Sequence, residues 1–261
     1  MQVVIARAVL LAVAAAGLFL CALSGASAET AKTWHVVALG DSGASGRGDP
    51  TGLAWPRRYG RLLQQKLGLT VRVDNFAREG KSASALLADV RSDAAMRAAM
   101  KRADIILFGS TAGANLNAAD ANLEAHKCAG ETCYRAALRS WTRDFEAIVK
   151  TSVALRRGKK TVLRGVGDPN VVPGAQDVIP PFATVDLGLY QAKVIRQTIC
   201  TSMRRHHGRC VDVLLAFNSA NGKRNAYKTG LMNKIDCCYP SAKGHQLIAQ
   251  LLLKTGLAPL R

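Results

Sequence analysis

Short apolar runs alternate with longer helical patterns along most of this chain of 261 residues. The runs are rich in Val, Ile and Leu, and they lie at 34–39, 70–76, 104–109, 160–165 and 210–216. Their length and composition predict β-strands, and the apolar spacing between them predicts amphipathic helices. Because a β-α alternation joins its strands by crossovers, we predict an α/β fold with a parallel sheet and helices on both faces. In such sheets, ligands bind beyond the carboxyl ends of the strands.

The N-terminal segment has the composition of a secretion signal. Arg7 precedes the apolar run AVLLAVAAAGLFLCAL, and residues 26–28 read ASA, the small-x-small pattern that signal peptidase cleaves. The alternative, an uncleaved anchor, is less favoured because the run is short for a bilayer span. We predict a signal peptide over residues 1–28, one domain over residues 29–261 with no stable membrane span, and a secreted or periplasmic location.

The chain is strongly basic, with a formal net charge of +18 at pH 7. Such a charge suits anionic partners, among them envelope polymers, lipid headgroups and nucleic acids. The Lys and Arg residues are scattered along the sequence, however, and no nucleic-acid-binding motif accompanies them. We therefore favour an ordinary solvated basic surface and predict no nucleic-acid partner.

Seven cysteines, less Cys21 in the predicted signal peptide, leave six, and an even number in an oxidising compartment favours disulfides. They bracket two short loops and form one adjacent pair: Cys128 and Cys133, Cys200 and Cys210, and Cys237 with Cys238. The adjacent cysteines either form a vicinal disulfide or bond elsewhere, because connectivity does not follow from sequence. The spacing fits no standard zinc pattern, so we predict no metal site.

Unusual residues follow three of the predicted strands. Asp41 and Ser42 lie in a glycine-rich turn after the first strand, where the serine is either exposed at the sheet edge or caps the next helix. Gly80 follows the second strand, and its N–H could donate to an oxyanion. Asn115 follows the third strand, where its amide either donates to an oxyanion or bonds its own backbone. Each of these signals is weak alone.

Together with the segment DCCYPSAKGH at 236–245, these residues have the order and spacing of four family motifs. The other three are GDS at 40–42, NFAREG at 75–80 and GANL at 113–116, in which Leu116 stands where the family commonly has Asp. The chain resembles the SGNH hydrolase superfamily, the GDSL-type esterases and lipases, over nearly all of the predicted domain. This resemblance implies a three-layer α/β/α sandwich with a five-stranded parallel sheet of the flavodoxin-like kind.

The resemblance also implies roles for the matched residues. Ser42 would be the nucleophile, and its N–H, the Gly80 N–H and the Asn115 side chain would form the oxyanion hole. Asp236 would orient the catalytic base, and no cofactor is implied. The base position itself holds Tyr239, where the family usually has a histidine. A phenol titrates near pH ~10 and is a poor proton acceptor when neutral, so Tyr239 does not replace an imidazole.

Two other residues are candidates for the missing base. Asp236 could act on Ser42 directly if burial raised the pKa of its carboxyl group. His126, in the long loop expected after the third strand, is the most suitable of the other histidines. His245 is less suitable, because six residues of helix after Tyr239 advance the chain by about 9 Å.

The sequence supports two functions. One is an exported, monomeric serine esterase with an altered triad, which hydrolyses a small-molecule or polymer-linked carboxylic ester. The other is a catalytically inactive protein of the same fold that binds an acylated or anionic envelope ligand, with Tyr239 stacked on a sugar. We favour the esterase, because the nucleophile, the oxyanion donors and the acidic residue are all present. The Pro/Gly-rich segment 165–182 is expected to shape the acyl or alcohol pocket.

Overall fold

A parallel five-stranded sheet forms the centre of the computed structural model, which describes residues 32–260. In chain order the strands are β1 (Thr33–Leu39), β2 (Thr70–Asn75), β3 (Ile105–Gly109), β4 (Val162–Val166) and β5 (Arg209–Val211). They lie in the order β2-β1-β3-β4-β5, so β2 and β5 form the edges. Every neighbouring pair is parallel, with Ile106 of β3 opposite Val37 of β1. The predicted parallel α/β sheet is confirmed.

The helices of the described residues cover both faces of this sheet. They are α1 (Ser42–Ser45), α2 (Trp55–Leu67), α3 (Ala83–Ser92), α4 (Ala94–Arg102), α5 (Gly113–Glu124), α6 (Glu131–Ala154), α7 (Val185–Arg205), α8 (Val213–Asn218) and α9 (Ala242–Lys254). Buried residues of α3, α4, α5, α6 and α7 share one core, and those of α2, α8 and α9 share the other. The chain therefore forms the predicted three layers, with the sheet in the middle.

Strand β1 supplies side chains to both cores. Val37 and Leu39 belong to the first core, whereas Trp34, Val36 and Ala38 belong to the second. Successive side chains of a strand point to opposite faces of its sheet, so a strand covered on both faces is apolar throughout. This explains why the strands appear in the sequence as continuous apolar runs.

The last predicted strand is shorter than expected. Within the run 210–216, β5 ends at Val211 and helix α8 begins at Val213. The carboxyl group of Asp212 accepts the N–H of Leu215 at 3.0 Å and caps this helix. Short apolar runs fit a strand and a buried helix equally well, so periodicity did not distinguish them.

Two helical segments also differ from the expectation. The pattern over 82–102 forms two helices that meet at Asp93, whose carboxyl group accepts the N–H of Met96 at 2.8 Å. The segment after β3, expected to be a loop, contains helix α5. The second difference changes where Asn115 and His126 lie.

Disulfides join Cys128 to Cys133, Cys200 to Cys210 and Cys237 to Cys238 in the described part of the chain. The adjacent cysteines thus form a vicinal disulfide in the loop before α9. The predicted signal peptide lies outside the described residues. Of the helices between residues 32 and 260, none combines the length and the apolar character needed to cross a membrane.

Candidate active site

A cavity of about 510 Å³ lies at the carboxyl edge of the sheet. Residues that follow four different strands line it, and so does one residue of the loop before α9: Ser42, Gly80, Ser110, Asp168 and Tyr239. Parallel strands end at the same edge, so the loops that follow them meet there. The volume is within the range of small-molecule sites.

Ser42 begins helix α1, but its hydroxyl group is not the cap of that helix. Asp41 is the cap, and its Oδ1 accepts the N–H of Gly43 at 3.2 Å. The tight turn needs a glycine at position 40, because a Cβ atom there would lie only 2.8 Å from the Cβ of Ala44. Ser42 therefore lies half-buried on the cavity wall, with its hydroxyl group not used in capping.

Gly80 lies in the turn after β2 and lines the same cavity as Ser42. Its φ of 67° is in the left-handed region that favours glycine. The turn is bonded to the first loop, because the N–H of Arg78 donates to the carbonyl oxygen of Gly40 at 3.3 Å. The fold thus brings Gly80 and Ser42 to one site, while the role of Gly80 as an oxyanion donor stays a prediction.

Asn115 lies in the first turn of α5 and is not among the described residues that line the cavity. Its Oδ1 is buried and has no hydrogen-bond partner within residues 32–260. Ser110 and Thr111 are the first residues after β3; Ser110 lines the cavity, and Oγ1 of Thr111 accepts Nε1–H of Trp141 at 3.2 Å. The chain neighbours of Asn115, Ala114 and Leu116, line the cavity, so the role of Asn115 as an oxyanion donor stays a prediction.

His126 is exposed and follows the C-terminal end of α5. This helix begins at the cavity with Gly113 and runs to Glu124, which at 1.5 Å per residue is about 16 Å of helix. The role of His126 as a substitute base is not supported. The segment expected to be a loop is a helix, and His126 lies beyond the end that is remote from β3.

Arg47 contacts both Asp236 and Tyr239, the two residues that the resemblance matches to the acid and the base of the family. Its Nε and Nη2 donate to Oδ2 and Oδ1 of Asp236 at 3.0 and 3.2 Å, which makes a bidentate ion pair. Its Cζ lies 4.5 Å from the ring centroid of Tyr239, and its guanidinium also pairs with Glu79. Asp236 is not among the described residues that line the cavity. The carboxylate of Asp236 pairs with the guanidinium of Arg47, so a direct contact with Ser42 is not supported.

His245 has a structural place in α9. Its ring is fully buried, and Nδ1 accepts the N–H of Trp55 at 3.3 Å while Nε2 donates to the carbonyl oxygen of Arg47 at 3.3 Å. Burial lowers the pKa of His245, which favours the neutral ring that both hydrogen bonds require. The ring thus fastens α9 to the loop that carries Arg47, and neither nitrogen is directed to a substrate.

Asp41 and Asp168 form a carboxyl pair on the cavity wall. Burial, together with the negative charge of Asp168, raises the pKa of Asp41 to about 8. The N–H groups of Gly43 and Gly113 lower it, but burial outweighs them. Burial also raises the pKa of Asp168 to about 6, against the opposing hydrogen bond from Ser110. Carboxyl groups that interact in this way titrate as one unit, which holds about one proton at neutral pH.

Neither Asp168 nor Arg47 was expected at the site from the sequence motifs. For Asp168 a signal existed, because it is the second residue after β4, just as Asp41 is the second residue after β1. It also lies within the segment 165–182, which lines the cavity as expected. For Arg47 no local signal existed, because its partner Asp236 is remote in the sequence.

The sequence matches no family model and no curated protein. Solved structures are similar, however. The lipase Lip_vut3 from a goat rumen metagenome has a TM-score of 0.72 and 18% identity, over 87% of this chain and 100% of that one. A catalytic mutant of the acetylxylan esterase Axe2 from Geobacillus stearothermophilus has a TM-score of 0.60 and 18% identity, over 85% and 93%. Identities this low establish the fold alone. The chain thus has the α/β fold of the GDSL/SGNH lipases and esterases.

Proposed function

We propose that this chain is an exported serine esterase that hydrolyses a small-molecule or polymer-linked carboxylic ester. The observation that carries the proposal is the place of Ser42, at the turn after β1 and on the wall of the cavity at the carboxyl edge of the sheet. A serine hydroxyl group there can attack an ester carbonyl to form an acyl-enzyme, which water then hydrolyses. The likeness in fold to lipases and esterases supports the same reaction.

Backbone N–H groups would stabilise the negative charge that develops on the carbonyl oxygen. We assign the N–H groups of Ser42 and Gly80 to this oxyanion hole, since both residues are on the cavity wall. Asn115 is not included in this assignment, because it is not among the described residues that line the cavity. Preorganised donors of this kind stabilise the charged tetrahedral intermediate more than they stabilise the neutral planar ester.

Part of the cavity wall is apolar and suits an acyl chain. Side chains after β4 and from α7 form it: Val171, Val172, Ile179, Phe182 and Leu187. A site of about 510 Å³ fits an acyl group of short to medium length. The proteins of similar fold include a lipase and an acetylxylan esterase, so the acyl series to test runs from acetyl to longer chains.

Export and a monomeric state belong to the same proposal. The disulfides Cys128–Cys133, Cys200–Cys210 and Cys237–Cys238 support an oxidising compartment. The expected signal peptide would deliver the chain there.

Ser42→Ala tests the function directly. We expect the purified wild-type protein to hydrolyse p-nitrophenyl esters and to be labelled once by a fluorophosphonate, since both reactions need an activated serine. Ser42→Ala should lose the label and at least about 10³-fold in kcat. Ser45→Ala is the matched control, because Ser45 is on the same short helix and its hydroxyl group donates only to the carbonyl oxygen of Ser42. A wild type that is neither labelled nor active contradicts the proposal.

One observation favours the second function, a binding protein for an acylated or anionic ligand. Arg47 pairs with Asp236 and covers the ring of Tyr239, so an ion cluster stands where the family has its catalytic pair. A binding protein would hold its ligand with the same Kd in wild type and Ser42→Ala, and neither would turn over an ester. Turnover that depends on Ser42 excludes this function.

A further inference from the structure

We propose that Asp168 is the general base that activates Ser42, and that it works as one carboxyl pair with Asp41. This proposal rests on the serine-esterase function proposed above. It gives the reaction a base that the family motif, with Tyr239 at its histidine position, does not supply.

The strand order brings the two carboxyl groups together. Strand β3 lies between β1 and β4, and neighbouring strands are about 4.8 Å apart. Asp41 and Asp168 each lie two residues beyond their strand, on the two sides of the end of β3, and both line the cavity. Ser110, the first residue after β3, links them, because its hydroxyl group bonds Asp168 and its carbonyl oxygen accepts the N–H of Asp41 at 3.3 Å.

No cation neutralises this pair within residues 32–260, since neither carboxylate takes part in an ion pair there. Other ionisable groups also line the cavity: Arg47, Glu79, Lys81, Asp120 and Tyr239. The two cations among them are occupied, because Arg47 pairs with Asp236 and Glu79, and Lys81 pairs with Asp89. Two uncompensated carboxyl groups on a poorly solvated wall hold a shared proton to higher pH than an ordinary Asp.

This environment makes a carboxylate a competent base. An ordinary Asp, with a pKa near 3.9, is a weak acceptor for a serine proton at neutral pH. Burial raises the pKa of Asp168 to about 6, close to that of the imidazole used in the family motif. General-base catalysis is most effective when the pKa of the base lies near the working pH.

The chemical step balances without another reactant. The Asp168 carboxylate accepts the Ser42 hydroxyl proton, directly or through one water, as the Oγ–carbon bond forms. The intermediate then expels the alcohol oxygen, which takes that proton from the carboxylic acid. In deacylation Asp168 accepts a proton from the attacking water and returns it to Oγ as the acyl bond breaks. Ester and water become acid and alcohol, and the carboxyl pair recovers its starting state.

The other candidate bases are excluded by their contacts or by their location. Asp236 is held by Arg47, and both ring nitrogens of His245 are bonded inside the protein. His126 lies beyond the remote end of α5. Two further carboxyl groups of the wall are also held, because Glu79 pairs with Arg47 and Asp120 accepts the hydroxyl hydrogen of Tyr134. Within the described residues, the carboxyl pair is the remaining carboxylate of the cavity wall that neither a cation nor a tyrosine hydroxyl group holds.

Asp168→Asn tests the proposal by steady-state hydrolysis of p-nitrophenyl acetate and by the rate of fluorophosphonate labelling. We expect kcat and the labelling rate to fall by about 10²–10⁴-fold, the usual contribution of a general base. Asp177→Asn is the matched control, because Asp177 is on the same loop but is exposed and outside the cavity lining; it should keep wild-type rates. Asp168→Glu should recover part of the activity, since it restores a carboxylate.

The pH profile separates a base from a structural residue. In wild type, kcat/KM should rise through an apparent pKa of about 6 as the pair loses its first proton, and Asp168→Asn should lack this rise. If circular dichroism shows that Asp168→Asn does not fold, the pH profile of Asp168→Glu decides the question. An acidic limb of kcat/KM that is unchanged from wild type in that variant overturns the proposal. Wild-type rates in Asp168→Asn, with Ser42→Ala inactive, overturn the base and leave the esterase intact. A wild type without label or turnover overturns both.

Discussion

A guanidinium group, and not an imidazole, lies beside Asp236. Arg47 holds both carboxylate oxygens and covers the ring of Tyr239, so Asp236 is already paired with a cation beside the position that the resemblance matches to the family's histidine. A histidine introduced at position 239 would therefore have no carboxylate to fix its tautomer and orientation. Tyr239 and Arg47 therefore have to be changed together.

We expect Tyr239→His alone to alter kcat by less than about tenfold, because Asp236 stays bound to Arg47. Tyr239→His combined with Arg47→Ala should gain more than about tenfold over Arg47→Ala alone, since the freed carboxylate can then orient the imidazole. A double-mutant cycle on ester hydrolysis measures this coupling. Equal effects of Tyr239→His in both backgrounds would contradict it.

At the scale of elements, two loops form one unit at the cavity. The loop after α1 and the loop before α9 are joined by the Arg47–Asp236 pair and by Nδ2 of Asn233, which donates to the carbonyl oxygen of Gly48 at 2.8 Å. They also pack closely, because a Cβ atom at Gly48 would lie 2.7 Å from the Cβ of Tyr239. The position of Tyr239 thus depends on a glycine in another loop.

Gly48→Ala should destabilise the protein more than Gly52→Ala. Both glycines have φ in the left-handed region, 83° and 63°, so either alanine costs about 1–2 kcal/mol in backbone strain. A Cβ atom at Gly52 meets nothing within 4 Å, whereas at Gly48 it overlaps the neighbouring loop, which adds about 1–3 kcal/mol. Urea unfolding of both variants measures the difference. Equal free energies of unfolding would show that the loops are not closely packed.

At the scale of the whole molecule, the carboxyl pair makes stability depend on pH. The folded protein holds the pKa values of Asp41 and Asp168 at about 8 and about 6, above the ordinary 3.8. The folded state therefore binds more protons than the unfolded state over this range, so this contribution to stability is present below pH ~4 and is lost as pH rises through these values.

Asp168→Asn should therefore stabilise the protein relative to wild type at pH ~9 by about 1–3 kcal/mol, and by less at pH ~5. The free energy of unfolding in urea at both pH values measures the change, with Asp177→Asn as the control for loss of one exposed charge. A difference between Asp168→Asn and wild type that does not grow with pH would mean that the pair does not share a proton.

Sequence patterns predicted most of the fold but only part of the site. Four strands and the main amphipathic helices follow from the period and length of apolar runs, because these features report directly which faces are buried. The run over 210–216 was misassigned in part, since its capping residue Asp212 decided between strand and helix. Helix α5 was missed for lack of an apolar stripe: only Ala119 of this helix is fully buried.

The sequence by itself determined that β and α elements alternate, that Ser42 follows the first strand and that Tyr239 lies three residues after Asp236, in a segment that resembles the fourth family motif. Each of these features depends only on neighbouring residues, so it can be predicted from the local sequence. Only the tertiary structure decided which residues meet at the sheet edge. It brought Asp168 beside Asp41 and Arg47 to Asp236, and it kept Asn115 and His126 from the cavity lining. The physical reason is that contacts between loops depend on strand order and helix placement, which no local period encodes.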